Sequence, residues 1–191
     1  MKFRITIAIL IISFIGMAIF SRATTPSTTK SSVKNSYADL VGKPAPNFEL
    51  PSYNGTTVTL SSLLGKKVVL FFNEGIVCYP ACWNQIAALG TDKDLNNNQV
   101  ATASIVPDQQ GEWATAIKRQ PDLGKETILL DSDISTSQNY GVMTLESSMH
   151  KGAKPGHTYV LIDEKGIVKY TYDDPTMGIQ NDRIKQEISK L

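Results

Sequence analysis

Cysteine and histidine are both scarce in this 191-residue chain: Cys78 and Cys82 are the only cysteines, His150 and His157 the only histidines. Two cysteines do not make a disulfide scaffold. There is no glycine-rich phosphate loop and no G-x-S-x-G. Ser-His-Asp hydrolysis leaves no local signature either. No basic stripe or arginine cluster stands out, which excludes a nucleic-acid partner. Asp131-Ser132-Asp133 and Asp173-Asp174-Pro175 lack the ligand positions of a calcium loop and read as turn and cap chemistry. Acidic residues are missing from the first 37 positions, which hold Lys2, Arg4, Arg22, Lys30 and Lys34; the remainder has 14 basic and 18 acidic side chains, a formal net of −4.

What is present at the start is a basic Met1-Lys2-Phe3-Arg4 followed by sixteen uncharged residues, Ile5 to Phe20. The pattern predicts a membrane anchor or signal segment over residues 1–22, its basic end in the cytoplasm and the rest of the chain outside. Sixteen uncharged residues are short for a span of about 20. Ser21-Arg22-Ala23 offers small residues for cleavage, so a secreted form is the alternative. Nine of the seventeen residues from Ser21 to Tyr37 are Ser or Thr. Residues 23–38 are therefore expected to be a flexible linker, and 39–191 a single domain with one core.

Within that domain the period of the apolar residues alternates between strand and helix. Asn54-Gly55 before Thr56 to Leu60 predicts a hairpin. Ser61 to Leu64 makes one helical turn that Gly65 stops. Val68 to Phe72 is a buried central strand, and Cys82 to Leu89 a helix with Trp83, Ile86 and Leu89 on one face. Val100 to Val106 and Thr127 to Leu130 read as strands, Gly111 to Arg119 and Ser135 to Tyr140 as helices. Thr158 to Ile162 and Ile167 to Thr171 form a second hairpin, and Ile179 to Leu191 an amphipathic closing helix. This order predicts an α/β fold with a mixed sheet covered on both faces.

The two cysteines follow the central strand around Pro80. Proline is favoured at the first helical position. A helix starting there leaves Cys78 before the cap and Cys82 in the first turn, and unpaired N–H groups and the helix dipole favour a thiolate at either sulfur. Positions i and i+4 of a regular helix hold their Cβ atoms roughly 5–6 Å apart, and a disulfide wants about 3.5–4.5 Å. A bridge therefore places Cys78 off the helix. Such a pair is expected to cycle between dithiol and labile disulfide. Cys78 precedes Pro80 by two and so resembles the attacking cysteine in the C-G-P-C of thioredoxins, which implies that Cys78 attacks and Cys82 resolves.

G-x-x-A-P-x-F-x-L from Gly42, then N-G, then V-x-L-S-S-L-x-G-K-x-V-V-L-F-F, resembles the alkyl hydroperoxide reductase and thiol-specific antioxidant (AhpC/TSA) family, the peroxiredoxin-like redoxin branch of the thioredoxin superfamily. Leu129-Leu130-Asp131-Ser132-Asp133, Gln138 to Val142 and His157 to Gly166 extend the resemblance to the C-terminus. It implies a thioredoxin-like fold with an N-terminal β-hairpin extension, and an antioxidant or thiol oxidoreductase activity. It implies a thiol donor or thioredoxin-like protein as reductant, a peroxide or protein disulfide as acceptor, and no cofactor. Peroxiredoxins usually follow this strand with P-x-x-x-T-x-x-C; here no Thr lies between Phe72 and Trp83, and Cys78 falls near its place. That departure argues against the ordinary peroxidase version.

His157, one residue before Thr158, stands where thioredoxin-like reductases carry a proline facing the cysteines. An imidazole there lowers a thiolate pKa, shuttles a proton or binds a metal; the alternative is a surface histidine in a Pro-Gly loop. The C-x-x-x-C spacing also resembles membrane-tethered copper chaperones for cytochrome oxidase assembly. In that alternative Cys78, Cys82 and either His150 or His157 hold copper. Trp83 is expected in the core or at its rim, and Glu74 as a turn acid.

Overall fold

The structure, a computed structural model, describes residues 36–191. The expected anchor and most of the linker lie outside the described residues. Among those described, no helix is long and apolar enough to cross a membrane.

Two short antiparallel strands, β1 (Glu49–Pro51) and β2 (Thr57–Thr59), form the N-terminal hairpin around Asn54-Gly55. Asn54 closes it by accepting from the Thr56 amide at 3.1 Å. The single turn α1 (Leu60–Leu63) is capped by the Thr59 hydroxyl, and Gly65, at φ +87°, turns the chain into the central strand. Five strands then make one sheet in the order β5-β4-β3-β6-β7. They are β3 (Lys67–Phe72), β4 (Val100–Val106), β5 (Ile128–Leu130), β6 (Thr158–Ile162) and β7 (Val168–Asp173). β3, β4 and β5 run parallel; β6 and β7 are antiparallel to their inner neighbours. This is the expected mixed sheet.

Alternation along β3 divides the core in two. Val69 and Phe71 face α2 (Ala81–Thr91), α3 (Gln110–Arg119) and the closing helix α5 (Asn181–Ile188) through Trp83, Ile86, Leu89, Trp113, Ile184 and Ile188. Val68, Leu70 and Phe72 face Leu40, Phe48, Leu60 and Tyr140, the last just after α4 (Ser135–Asn139). Asp131 acts as the cap read from the sequence, its carboxylate accepting from the Thr136 and Ser137 amides at 3.0 and 2.7 Å. The closing helix is shorter than its apolar period suggested. Its N-cap is Gln180, which reaches α2 by donating its amide to Gln85 Oε1 at 2.7 Å.

Register decides what shares an end of the sheet. Phe72 pairs with Thr158, and Thr158 with Asp173. The C-terminal ends of β3 and β7 and the N-terminal end of β6 therefore coincide, and β4 ends beside them with Val106.

Candidate active site

At that end β3 runs into Asn73-Glu74, a single turn of 3₁₀ helix (Gly75–Val77), Cys78, and then α2. Gly75 sits at φ +67°, and a Cβ on it would fall on the Asp108 carboxyl group. Asp108 arrives from the end of β4 and fixes the turn by accepting from the Ile76 amide at 2.9 Å. Burial pushes its carboxyl up to about 6, against the opposing Ile76 hydrogen bond.

Cys78 and Cys82 form a disulfide, with Cα atoms 5.3 Å apart. Pro80 is the N-cap rather than the first helical residue, so α2 begins at Ala81. Cys78 thus stands two residues outside the cap and Cys82 at the second helical position. The backbone joins them too, Cys82 donating its amide to the Cys78 carbonyl at 2.9 Å. Cys82 is fully buried and Cys78 only 3% exposed, whereas Val77 and Tyr79 beside Cys78 are half exposed. Trp83 lies in the core, with Tyr79 edge-on to it at 5.0 Å and the Arg119 guanidinium 4.5 Å from the Tyr79 ring.

His157 is not the surface histidine that its Pro-Gly loop suggested; it is 1% exposed. Its Nδ1 lies 3.7 Å from Cys82 Sγ, and its Nε2 is 3.2 Å from the Gly178 carbonyl and 2.9 Å from the Tyr159 hydroxyl. Phe71 walls it edge-on at 4.6 Å. Burial pushes the imidazole down to about 4, with Asp174, the Gly178 carbonyl and Asp173 pulling the other way. Asp174 holds the turn that supplies Gly178. It accepts from the Gly178 and Thr176 amides at 3.0 Å and from Gln180 Nε2 at 2.8 Å.

Glu74 is not an exposed turn acid. It is 1% exposed and accepts from the Met149 and His150 amides at 2.7 and 3.0 Å, while His150 Nδ1 lies 2.8 Å from its other oxygen. It ties the long segment before β6 to the cysteine turn. His150 is thereby engaged with Glu74, while His157 is the histidine at the sulfurs. Among the described residues no group of three or more His, Cys, Asp or Glu side chains is placed to hold a metal ion. Glu74 and Asp108 carried one faint signal in the sequence, an acid at the end of a buried strand.

The arrangement is a buried dithiol couple at a helix mouth, with an imidazole on one sulfur. The AhpC/TSA family matches residues 41–171. The protein named peroxiredoxin bcp in Coxiella burnetii is 31% identical over 134 residues, 67% of this chain and 84% of that protein. The chloroplastic peroxiredoxin Q of Triticum aestivum is 29% identical over 133 residues, 70% of this chain but only 58% of that protein. In fold the chain is similar to Enterococcus faecalis AhpC, with a TM-score of 0.68 at 16% identity, covering 79% of this chain and 91% of that one. It is also similar to Mycobacterium tuberculosis peroxidoxin BcpB, at 0.65 and 22%, covering 79% and 97%.

Proposed function

The chain belongs to the AhpC/TSA family of thiol oxidoreductases, and on that footing we propose that it is a thiol-dependent peroxidase whose working couple is Cys78 and Cys82. The observation that carries the reading is the bridge between the two cysteines at the N-terminus of α2, where the helix dipole favours a thiolate. A thiolate of the pair attacks a peroxide oxygen; the O–O bond breaks, sulfur is oxidised to sulfenic acid, and water or an alcohol leaves with a proton. The second thiol then attacks the sulfenic sulfur, water departs, and the disulfide closes. An external dithiol of the thioredoxin kind returns two electrons and two protons by exchange. A protein disulfide in place of peroxide would use the same couple.

The proposal includes a membrane tether that holds the domain outside the cytoplasm. Its support is the basic start and the uncharged run from Ile5 to Phe20. An oxidising compartment lets such a pair cycle through its disulfide. Intact-mass measurement of the reduced full chain after one equivalent of hydrogen peroxide tests the chemistry. Loss of two hydrogens is expected, abolished by Cys78→Ser and by Cys82→Ser. Two thiols still reduced after that treatment would refute it. Membrane fractionation of cells expressing chains with and without residues 1–22 tests the tether.

A further inference from the structure

His157 has three polar neighbours, and what they can exchange with the ring is restricted. The Gly178 carbonyl only accepts, a sulfur without a proton only accepts, and the Tyr159 hydroxyl does either. A neutral imidazole has one N–H and cannot serve both the carbonyl on Nε2 and the sulfur on Nδ1. An imidazolium, with a proton on each nitrogen, serves every contact at once. The surroundings are thus complementary to the charged ring, yet in the disulfide nothing anionic touches it and its burial favours the neutral form. The anion that completes the site is a thiolate on Cys82.

On the footing of the dithiol cycle above, we propose that His157 takes up a proton when the disulfide is reduced, forming a buried imidazolium–thiolate pair with Cys82. Cys82 is then the ionised sulfur, and Cys78 the one exchanged with the donor. Cys78 retains the only exposure of the two, so the donor thiolate attacks Cys78 Sγ. The Cys78–Cys82 bond breaks and its electron pair goes to Cys82 Sγ. The donor's second thiol then displaces Cys78, leaving the donor oxidised. Two electrons and two protons have been transferred: one proton rests on Cys78 Sγ and one on His157 Nδ1, with Cys82 a thiolate. The order implied by the resemblance to the thioredoxin C-G-P-C, Cys78 attacking and Cys82 resolving, is inverted for attack on peroxide.

The groups facing the ring are consistent with that charge. Cys82 comes from α2, Tyr159 from β6 and Asp173 from the end of β7, and Asp174 follows in the next turn. Both aspartates act to stabilise the protonated ring, and hydrogen bonds from Thr176, Gln180 and Gly178 hold the Asp174 carboxyl below the usual range despite its burial.

The full chain contains only one other histidine, His150, so NMR of the imidazoles resolves His157 directly. Titration with the disulfide intact is compared with titration after reduction by dithiothreitol. The midpoint of His157 is expected to rise by about two pH units or more on reduction, as it gains an anionic partner within contact. In a Cys78→Ser chain, iodoacetamide alkylation of Cys82 at pH 6 should slow on adding His157→Gln, as the thiolate fraction falls about tenfold for each unit by which the Cys82 pKa rises. An unchanged His157 midpoint in the two redox states, or an alkylation rate indifferent to His157→Gln, would overturn the proposal. Neither measurement uses peroxide, so their failure is separate from failure of the peroxidase reading. The wild-type titration needs no variant to fold.

Discussion

Glu126, just before β5, should make the stability of this domain fall as pH rises, and Glu126→Gln should remove that fall. Glu126 is 2% exposed and among the described residues pairs with no cation; its carboxyl partners are the Thr102 hydroxyl at 2.6 Å and the Ser104 hydroxyl at 3.3 Å, both on β4. Thr102 Oγ1 is also 2.8 Å from Asn96 Oδ1. One hydroxyl proton cannot serve two acceptors, so the network closes when Glu126 is protonated: its Oε2–H donates to Thr102, and Thr102 donates to Asn96. Burial accordingly raises the carboxyl from an ordinary 4.5 to about 8, against the lowering effect of Thr102 and Ser104. A folded pKa above the unfolded one gives stability that is complete below pH 4.5 and lost as pH rises through 8. By linkage about 3 kcal/mol is lost by pH 7 and about 5 kcal/mol by pH 9. Urea unfolding of the two chains between pH 4 and pH 9 provides the comparison. Gln leaves one N–H unserved, which offsets the variant's curve without tilting it, so the slope is the readout. The difference in unfolding free energy should shift in the variant's favour by about 3 kcal/mol between pH 4 and 7. A difference that stays flat with pH would refute the reasoning.

Three further outcomes follow from the site. Gly75→Ala should cost about 2–4 kcal/mol in urea unfolding, since it puts a Cβ at φ +67° onto the Asp108 carboxyl group; a cost near zero would mean that the turn rearranges freely. Glu74→Ala should cost about 3 kcal/mol and speed hydrogen exchange at the Met149 and His150 amides, which lose their acceptor; unchanged exchange there would deny the clamp. Anaerobic titration of the reduced chain with Cu(I) should give an affinity that His150→Ala, whose imidazole is engaged with Glu74, leaves unaltered. A tight one-to-one complex weakened by that variant would favour the copper-carrier alternative.

Much of this was legible from local chemistry. The Asn54-Gly55 hairpin, the β-branched run of β3 and the apolar periods of α2 and α3 are each set within a few residues, and the structure keeps them. The cysteines were legible for the same reason, being four apart around a proline. Glu74 was not, because its partners lie 74 to 76 positions along the chain. His157 was open for a similar reason. Only the antiparallel pairing of β6 with β3 brings it to Cys82, 75 residues away. Pro80 fell one position outside its expected place, since its φ of −90° and ψ of −10° serve as a cap before a helix beginning at Ala81.

The sheet's register has an engineering consequence. Everything argued to do chemistry is gathered at one end of the strands. At the opposite end lie the entries Gly65-Lys66 and Asn97 to Gln99 and the reversal Asp163 to Gly166. A fluorescent reporter or affinity handle spliced at Asn98, exposed and outside any strand or helix, would sit a full strand length from the sulfurs. The protein could then be followed in living cells with its electron traffic undisturbed.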